Sequence, residues 1–148
     1  MKNISNYIVI GFLAIGLIAL ESCKKDEPIV EETQEEVFLA KISGDWKSSA
    51  VTLDGKDVSK SFPGLGIVIT EAKQITVTNA VPPIWKGTGT FTLEPVGSSF
   101  QLKRDDGIIM TLTQPTAQKL LLKFQYDAAA LGGRVKSVTG EFTFEFSK

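Results

Sequence analysis

Histidine is absent from this 148-residue chain, and cysteine occurs once, at Cys23. Without histidine there is no Ser-His-Asp or Cys-His nucleophile, and a His/Cys zinc site is excluded as well. A lone cysteine also leaves no disulfide within the chain, so any folded domain must rest on its core. Arginine is scarce: Arg104 and Arg134 are well separated, and nothing gathers the basic patch that nucleic acid requires. No glycine-rich phosphate loop is present either, because "GKDVSK" (Gly55–Lys60) lacks the P-loop spacing and no helix follows it. The uncharged apolar run from Tyr7 to Leu20 spans only 14 residues, short of the roughly 20 that cross a bilayer.

What remains for catalysis is carboxylate chemistry, and its pattern is weak. Glu141 and Glu145 share one face of a strand, four residues apart. At about 3.3 Å per residue they stand roughly 13 Å from each other, too far to flank a glycosidic bond. Asp105-Asp106 in a tight turn reads as turn chemistry before it reads as a calcium site. The sequence therefore predicts no catalytic residues, no metal, no cofactor and no enzyme.

Met1-Lys2-Asn3 followed by the Tyr7–Leu20 run has the charged head and apolar length of a secretory signal; a retained N-terminal anchor is the alternative. The run ends in Leu20-Glu21-Ser22-Cys23, which resembles the lipobox of bacterial lipoproteins, with Leu three before the cysteine and a small residue directly before it. Glu21 departs from the general pattern, and a relaxed box ending in Ser-Cys is similar to those of Bacteroidetes lipoproteins. The resemblance implies cleavage before Cys23 and acylation of Cys23, with several acyl chains giving stable membrane anchoring where one would hold only marginally. Lys25-Asp26-Glu27, immediately beyond, resembles the lysine-plus-acidic surface-export signal of that group; a plain solvated tether is the alternative. The implied place is the outer membrane, facing the cell surface more than the periplasm.

Residues 24–36, "KKDEPIVEETQEE", hold two lysines against six acidic residues, a net of −4. Such a segment repels itself and stays extended. Since the whole chain carries −1 and Lys2 cancels Glu21, residues 37–148 carry +3. The sequence thus divides into a signal peptide (1–22), a lipidated cysteine with an acidic tether (23–36) and a mildly basic domain (37–148).

Within that domain, Thr33-Gln34-Glu35-Glu36 is a capping box that starts a short helix through Val37, Phe38, Ala40 and Ile42, closed by Ser43-Gly44. The period then changes to two. Strands are predicted over Trp46–Leu53, Ile67–Thr70 and around Ile75-Val77, Phe91-Leu93, Phe100-Leu102 and Ile108-Met110-Leu112. Leu120–Tyr126 and Gly140–Phe146 follow, making about eight, each with one apolar and one polar face. Asp54-Gly55, Pro63-Gly64, Asp105-Asp106-Gly107 and Gly132-Gly133 supply turns of hairpin length, and "DAAALGG" (Asp127–Gly133) is the one longer insertion. The fold class is all-β, an antiparallel up-and-down meander whose edges are best removed by closure into a barrel, with a β-sandwich as the alternative.

Gly44-Asp45-Trp46, between helix and first strand, resembles the Gly-x-Trp signature of lipocalins. That resemblance implies that Gly44 and Trp46 close one end of the barrel, with a basic residue from the last strands over the ring. Lys148 or Lys136 is placed for this, and Arg134 sits somewhat early. "VPPIWKGTG" (Val81–Gly89) carries Trp85 on a proline-stiffened loop, either presented to a ligand or folded back on the core. "FPGLG" (Phe62–Gly66) is a second apolar loop. If the barrel holds a small apolar or amphipathic ligand, Phe62, Trp85, Phe124, Phe142 and Phe144, with Trp46, are the expected lining; a small barrel filled by its own side chains is the competing expectation. The other functional class is an accessory subunit of a surface glycan-uptake or envelope complex, acting through outer faces and loops. An enzyme inhibitor would need a long protruding loop, which the spacing does not favour.

Overall fold

The computed structural model describes residues 32–113, 115–127 and 139–148. The apolar run, Cys23, Lys25, Asp26, Glu27, Arg134, Lys136 and the Asp127–Gly133 insertion beyond Asp127 lie outside the described residues.

The folded unit begins at Glu32 and includes α1 (Gln34–Ile42). Its N-cap is Thr33, whose hydroxyl accepts from Glu36 N–H at 3.2 Å while its own N–H donates to the Glu36 carboxylate at 2.7 Å. This reciprocal pair satisfies two of the amides a helix start leaves open. Charge alone places residues 34–36 in the tether; the capping box instead draws them into the helix. One side of α1 buries Phe38, Leu39 and Ile42.

Nine strands follow: β1 (Gly44–Leu53), β2 (Lys56–Asp57), β3 (Gly66–Ile69), β4 (Gln74–Thr78), β5 (Thr88–Val96), β6 (Ser99–Arg104), β7 (Ile109–Thr113), β8 (Lys119–Asp127) and β9 (Thr139–Ser147). All pairings are antiparallel, β3 through β9 pair in sequence order, and β1 joins β3 on one side and β9 on the other. The result is a closed eight-stranded antiparallel barrel of lipocalin-like architecture, with no sandwich. The two-residue β2 is a hairpin appendage to β1 that a period-two pattern is too short to reveal. Its turn uses Asp54 and Gly55, both at positive φ (48° and 76°), the conformation that twists a two-residue hairpin correctly.

Closure depends on how β1 divides its pairing. Gly44–Lys47 pair with β3, whereas Lys47–Leu53 pair with β9, with a bulge between Ser48 and Ala50. A bulge bends and twists its strand, which is what turns a sheet into a barrel wall. Inward-facing residues alternate around the wall: Ile67 and Ile69, Ile75 and Val77, Leu102, Met110 and Leu112, Leu120, Leu122 and Phe124, then Phe142, Phe144 and Phe146. The register sets two ends. The helix end carries α1, the β3–β4, β5–β6 and β7–β8 connections and the C-terminal Lys148. The opposite end carries residues 54–65, 79–87 and 105–108.

Candidate functional site

The interior and its two closures are the candidate site. At the helix end, Trp46 is 0% exposed and its indole N–H donates to the Ile42 carbonyl at 2.8 Å, tying the first strand to the last turn of α1. Lys148 from beyond β9 donates to the Ser43 carbonyl at 3.0 Å and sets its ammonium 4.5 Å from the Trp46 ring centre. Gly44 makes this approach feasible: it sits at φ +130°, and a Cβ there would lie 2.9 Å from the Lys148 side chain. Lys148, one of the three basic residues weighed from the sequence, is thus over Trp46; Lys136 and Arg134 lie outside the described residues.

At the opposite end, the loops carrying Phe62 and Trp85 do lie side by side, and both turn their aromatic side chains inward. Phe62 meets Phe144 edge-on at 5.1 Å and Phe142 at 5.9 Å. Trp85, 1% exposed, packs edge-on against Phe144 at 5.3 Å, Phe124 at 5.8 Å and Phe146 at 6.4 Å. Phe124, Phe142 and Phe144 stack on one another at 5.6–5.8 Å. Of the six residues expected to line a ligand space, Phe62, Trp85, Phe124, Phe142 and Phe144 are brought together and pack against each other, while Trp46 sits at the helix end. The two loops fill the mouth instead of framing an entrance. Edge-to-face and offset-stacked pairs at these separations each add about 0.5–1.5 kcal/mol beyond burial.

The Trp85 loop is latched by Arg104, whose Nη1 donates to the Ile84 carbonyl at 2.9 Å and whose guanidinium lies 5.1 Å from the Trp85 ring centre. Arg104 is 7% exposed and pairs with Asp106 through Nη2; Lys86 approaches the same carboxylate at 3.8 Å. A buried guanidinium paired and hydrogen-bonded in this way is tolerated where an unpaired one would not be. Arg104 is the residue that sequence reasoning missed. The signal was the continuation of period two along β6: Arg104 follows Phe100 and Leu102 on the inward face.

One polar atom at this end is not satisfied. Trp85 Nε1–H is buried without a hydrogen-bond partner among the described residues. Leaving such a donor unpaired costs about 1–3 kcal/mol. Trp85 also borders a cavity of about 10 Å³ shared with Ile75, Val77, Thr90, Arg104 and Asp105. That is room for one water at most, and none for a ligand.

The carboxylates have local duties. Asp105 accepts from Thr90 N–H at 2.9 Å, and that bond, reinforced by Lys86 and Arg104 against the effect of desolvation, holds its carboxyl below the ordinary range. Asp106 accepts from Ile108 N–H and completes the β6–β7 turn. Glu141 and Glu145 are both exposed on the outer face of β9, Glu141 at 3.8 Å from the Lys123 ammonium. Among the described residues no group of three acidic, histidine or cysteine side chains is placed to hold a metal ion.

Concave surface lies outside the barrel. A groove of about 410 Å³ over β1, β7, β8 and β9 sets Ser49, Thr113, Thr116, Ser147, Lys119 and Glu145 beside the apolar Leu120, Leu121 and Phe146. Another, of about 330 Å³, lies between α1 and the β5–β6 turn, beside Val37, Phe38 and Phe100. No described helix is long and apolar enough to cross a membrane. Comparison with known proteins finds no matching family model, no matching curated protein and no matching solved structure, so the residues themselves carry the functional reading.

Proposed function

We propose that the protein is a non-enzymatic binding module of the cell envelope, held on the outer membrane by acylated Cys23 and turned toward the cell surface. The barrel acts as a rigid support, and contacts with a partner in a glycan-uptake or other envelope complex are made on its outer faces. The observation that carries this reading is the packing of the interior: Trp46, Trp85, Phe62, Phe124, Phe142 and Phe144 are each at most 5% exposed and occupy the space a resident ligand would need. The outer groove, with hydroxyls and charges beside Leu120, Leu121 and Phe146, suits an amphipathic surface such as a sugar face or a protein partner. Native mass spectrometry of gently purified protein tests the reading. The mass of the acylated chain alone is expected, and a co-purifying apolar molecule would contradict a solid barrel. Cys23→Ala is expected to release the protein from the membrane fraction; retention there would refute the anchor.

A second reading, a small apolar ligand inside the barrel, is favoured by one observation, the Trp85 indole N–H that has no partner among the described residues. It requires Trp85 to leave.

A further inference from the structure

We propose that loop 79–87 is an exchangeable plug: Trp85 occupies an indole-sized site inside the barrel that a neutral planar aromatic molecule takes when the loop swings out. The inference rests on the second reading above and specifies its site and ligand class. Trp85 is the one large interior side chain that is delivered by a long loop and also lacks a partner for its polar atom among the described residues. Phe124, Phe142, Phe144 and Phe146 belong to strands β8 and β9 and cannot leave without opening the wall. Phe62 is held beside a 3-10 turn, with Phe62 N–H donating to the Ser59 carbonyl at 3.0 Å.

The plug is held by backbone hydrogen bonds at its neck, by Asn79, whose side chain donates to the Gly64 carbonyl at 2.9 Å, and by Arg104 and the core around Ile84 and Trp85. The Val77 backbone N–H donates to the Gly87 carbonyl at 2.7 Å, the Trp85 backbone N–H to the Val81 carbonyl at 3.0 Å, and Arg104 to the Ile84 carbonyl. The first two lie at the neck of the loop or within it, so they survive a rigid swing. A swing must break the Arg104 bond and the ring contacts, withdraw Ile84 from the core and part Lys86 from Asp106. What the swing exposes is a slot walled by the faces and edges of Phe124, Phe144 and Phe146. The charge at its mouth is already neutralised, because Arg104 pairs with Asp106. A flat uncharged aromatic therefore fits, and an anionic or cationic one does not. Self-occupancy lowers the apparent affinity of any such ligand by the fraction of molecules with the plug out.

Titrating the full chain, isotope-labelled at its indole nitrogens, with unlabelled indole tests this by NMR. In the wild type the Trp85 indole signal is expected to move saturably while the Trp46 signal stays. Trp85→Ala is expected to bind indole at least tenfold more tightly, since nothing competes for the slot. If the variant binds and the wild type does not, exchange is refuted while the interior remains able to hold a ligand. If neither binds, the interior-ligand reading fails too. Equal affinities, or a shift of the Trp46 signal, would place indole elsewhere and overturn the proposal. Should Trp85→Ala not fold, Trp85→Leu takes its place, and an unmoved Trp85 signal in the wild type still overturns exchange.

Discussion

At the helix end of the barrel, Trp46 lies beneath the Lys148 ammonium and gives its indole N–H to Ile42; at the other end, Trp85 lies beneath the Arg104 guanidinium with no acceptor for its own among the described residues. Both rings are at most 1% exposed, and both stand under a cation. The difference is in what holds them. Trp46 belongs to a barrel strand and is bonded to the helix that precedes it, whereas Trp85 rides a loop held by Arg104, by Asn79 and by the packing of Ile84 and its own ring. Equal burial is thus compatible with unequal commitment. The first closure is part of the wall, and the second is an insert.

The cations should separate most strongly when removed. Arg104→Ala takes the Ile84 carbonyl's donor and the Asp106 carboxylate's nearest partner, leaving the latter Lys86 and the Ile108 N–H, and is expected to cost about 3 kcal/mol. Lys148→Ala removes an exposed cation over a ring and one carbonyl contact, and about 0.5–1 kcal/mol is expected. Denaturant unfolding of the two variants measures the gap; equal losses would erase the distinction between the ends.

Exchanging each indole for a phenyl ring sharpens the comparison further. Trp46→Phe leaves the Ile42 carbonyl without its donor, while Trp85→Phe removes a donor that has no acceptor. With similar losses of ring volume, Trp46→Phe should be the more destabilising by about 1–2 kcal/mol. A costlier Trp85→Phe, in the same unfolding experiment, would mean that its N–H is satisfied after all.

The smallest effect is expected from pH. Glu36 at the helix end is held below the ordinary carboxylate range by Thr33 N–H, and Asp105 at the other end by Thr90 N–H. Hydrogen bonds from Ser59 and from Gln101 do the same for Asp57 and Glu94. A carboxyl with a lowered folded pKa contributes stability that is fully present above its unfolded value and fades as pH falls through the folded one. Stability should therefore be level near neutrality and decline below about pH 4. In acid titrations followed by circular dichroism, Glu36→Gln and Asp105→Asn should each flatten part of that decline, and an unchanged acid branch would count against these bonds.

Much of the wall was legible in the sequence, because inward and outward residues alternate so cleanly along β8 and β9 that only a half-wet sheet explains them. The helix start was legible for an equally local reason, Thr33 and Glu36 at capping-box spacing. A closing role for Gly44 and Trp46 was implied only by the resemblance of Gly44-Asp45-Trp46 to the lipocalin signature, and the contact of Lys148 with them is set by the fold. Trp85 was legible as a residue to watch and nothing more. Whether a loop tryptophan faces solvent or core depends on Phe124, Phe144 and Arg104, which are brought to it from distant strands. The Ser48/Ala50 bulge left no mark either, since one extra residue in a polar stretch disturbs no pattern.

Hydrogen exchange of the two indole N–H groups tests the asymmetry most directly, because both are buried and the two differ in what retains them. The Trp85 N–H is expected to exchange markedly faster than that of Trp46, through opening of loop 79–87 alone, while the amides of β8 and β9 stay protected. If Trp85 exchanges as slowly as Trp46, or only together with the strand amides, the plug is as fixed as the wall and the contrast between the two ends is wrong.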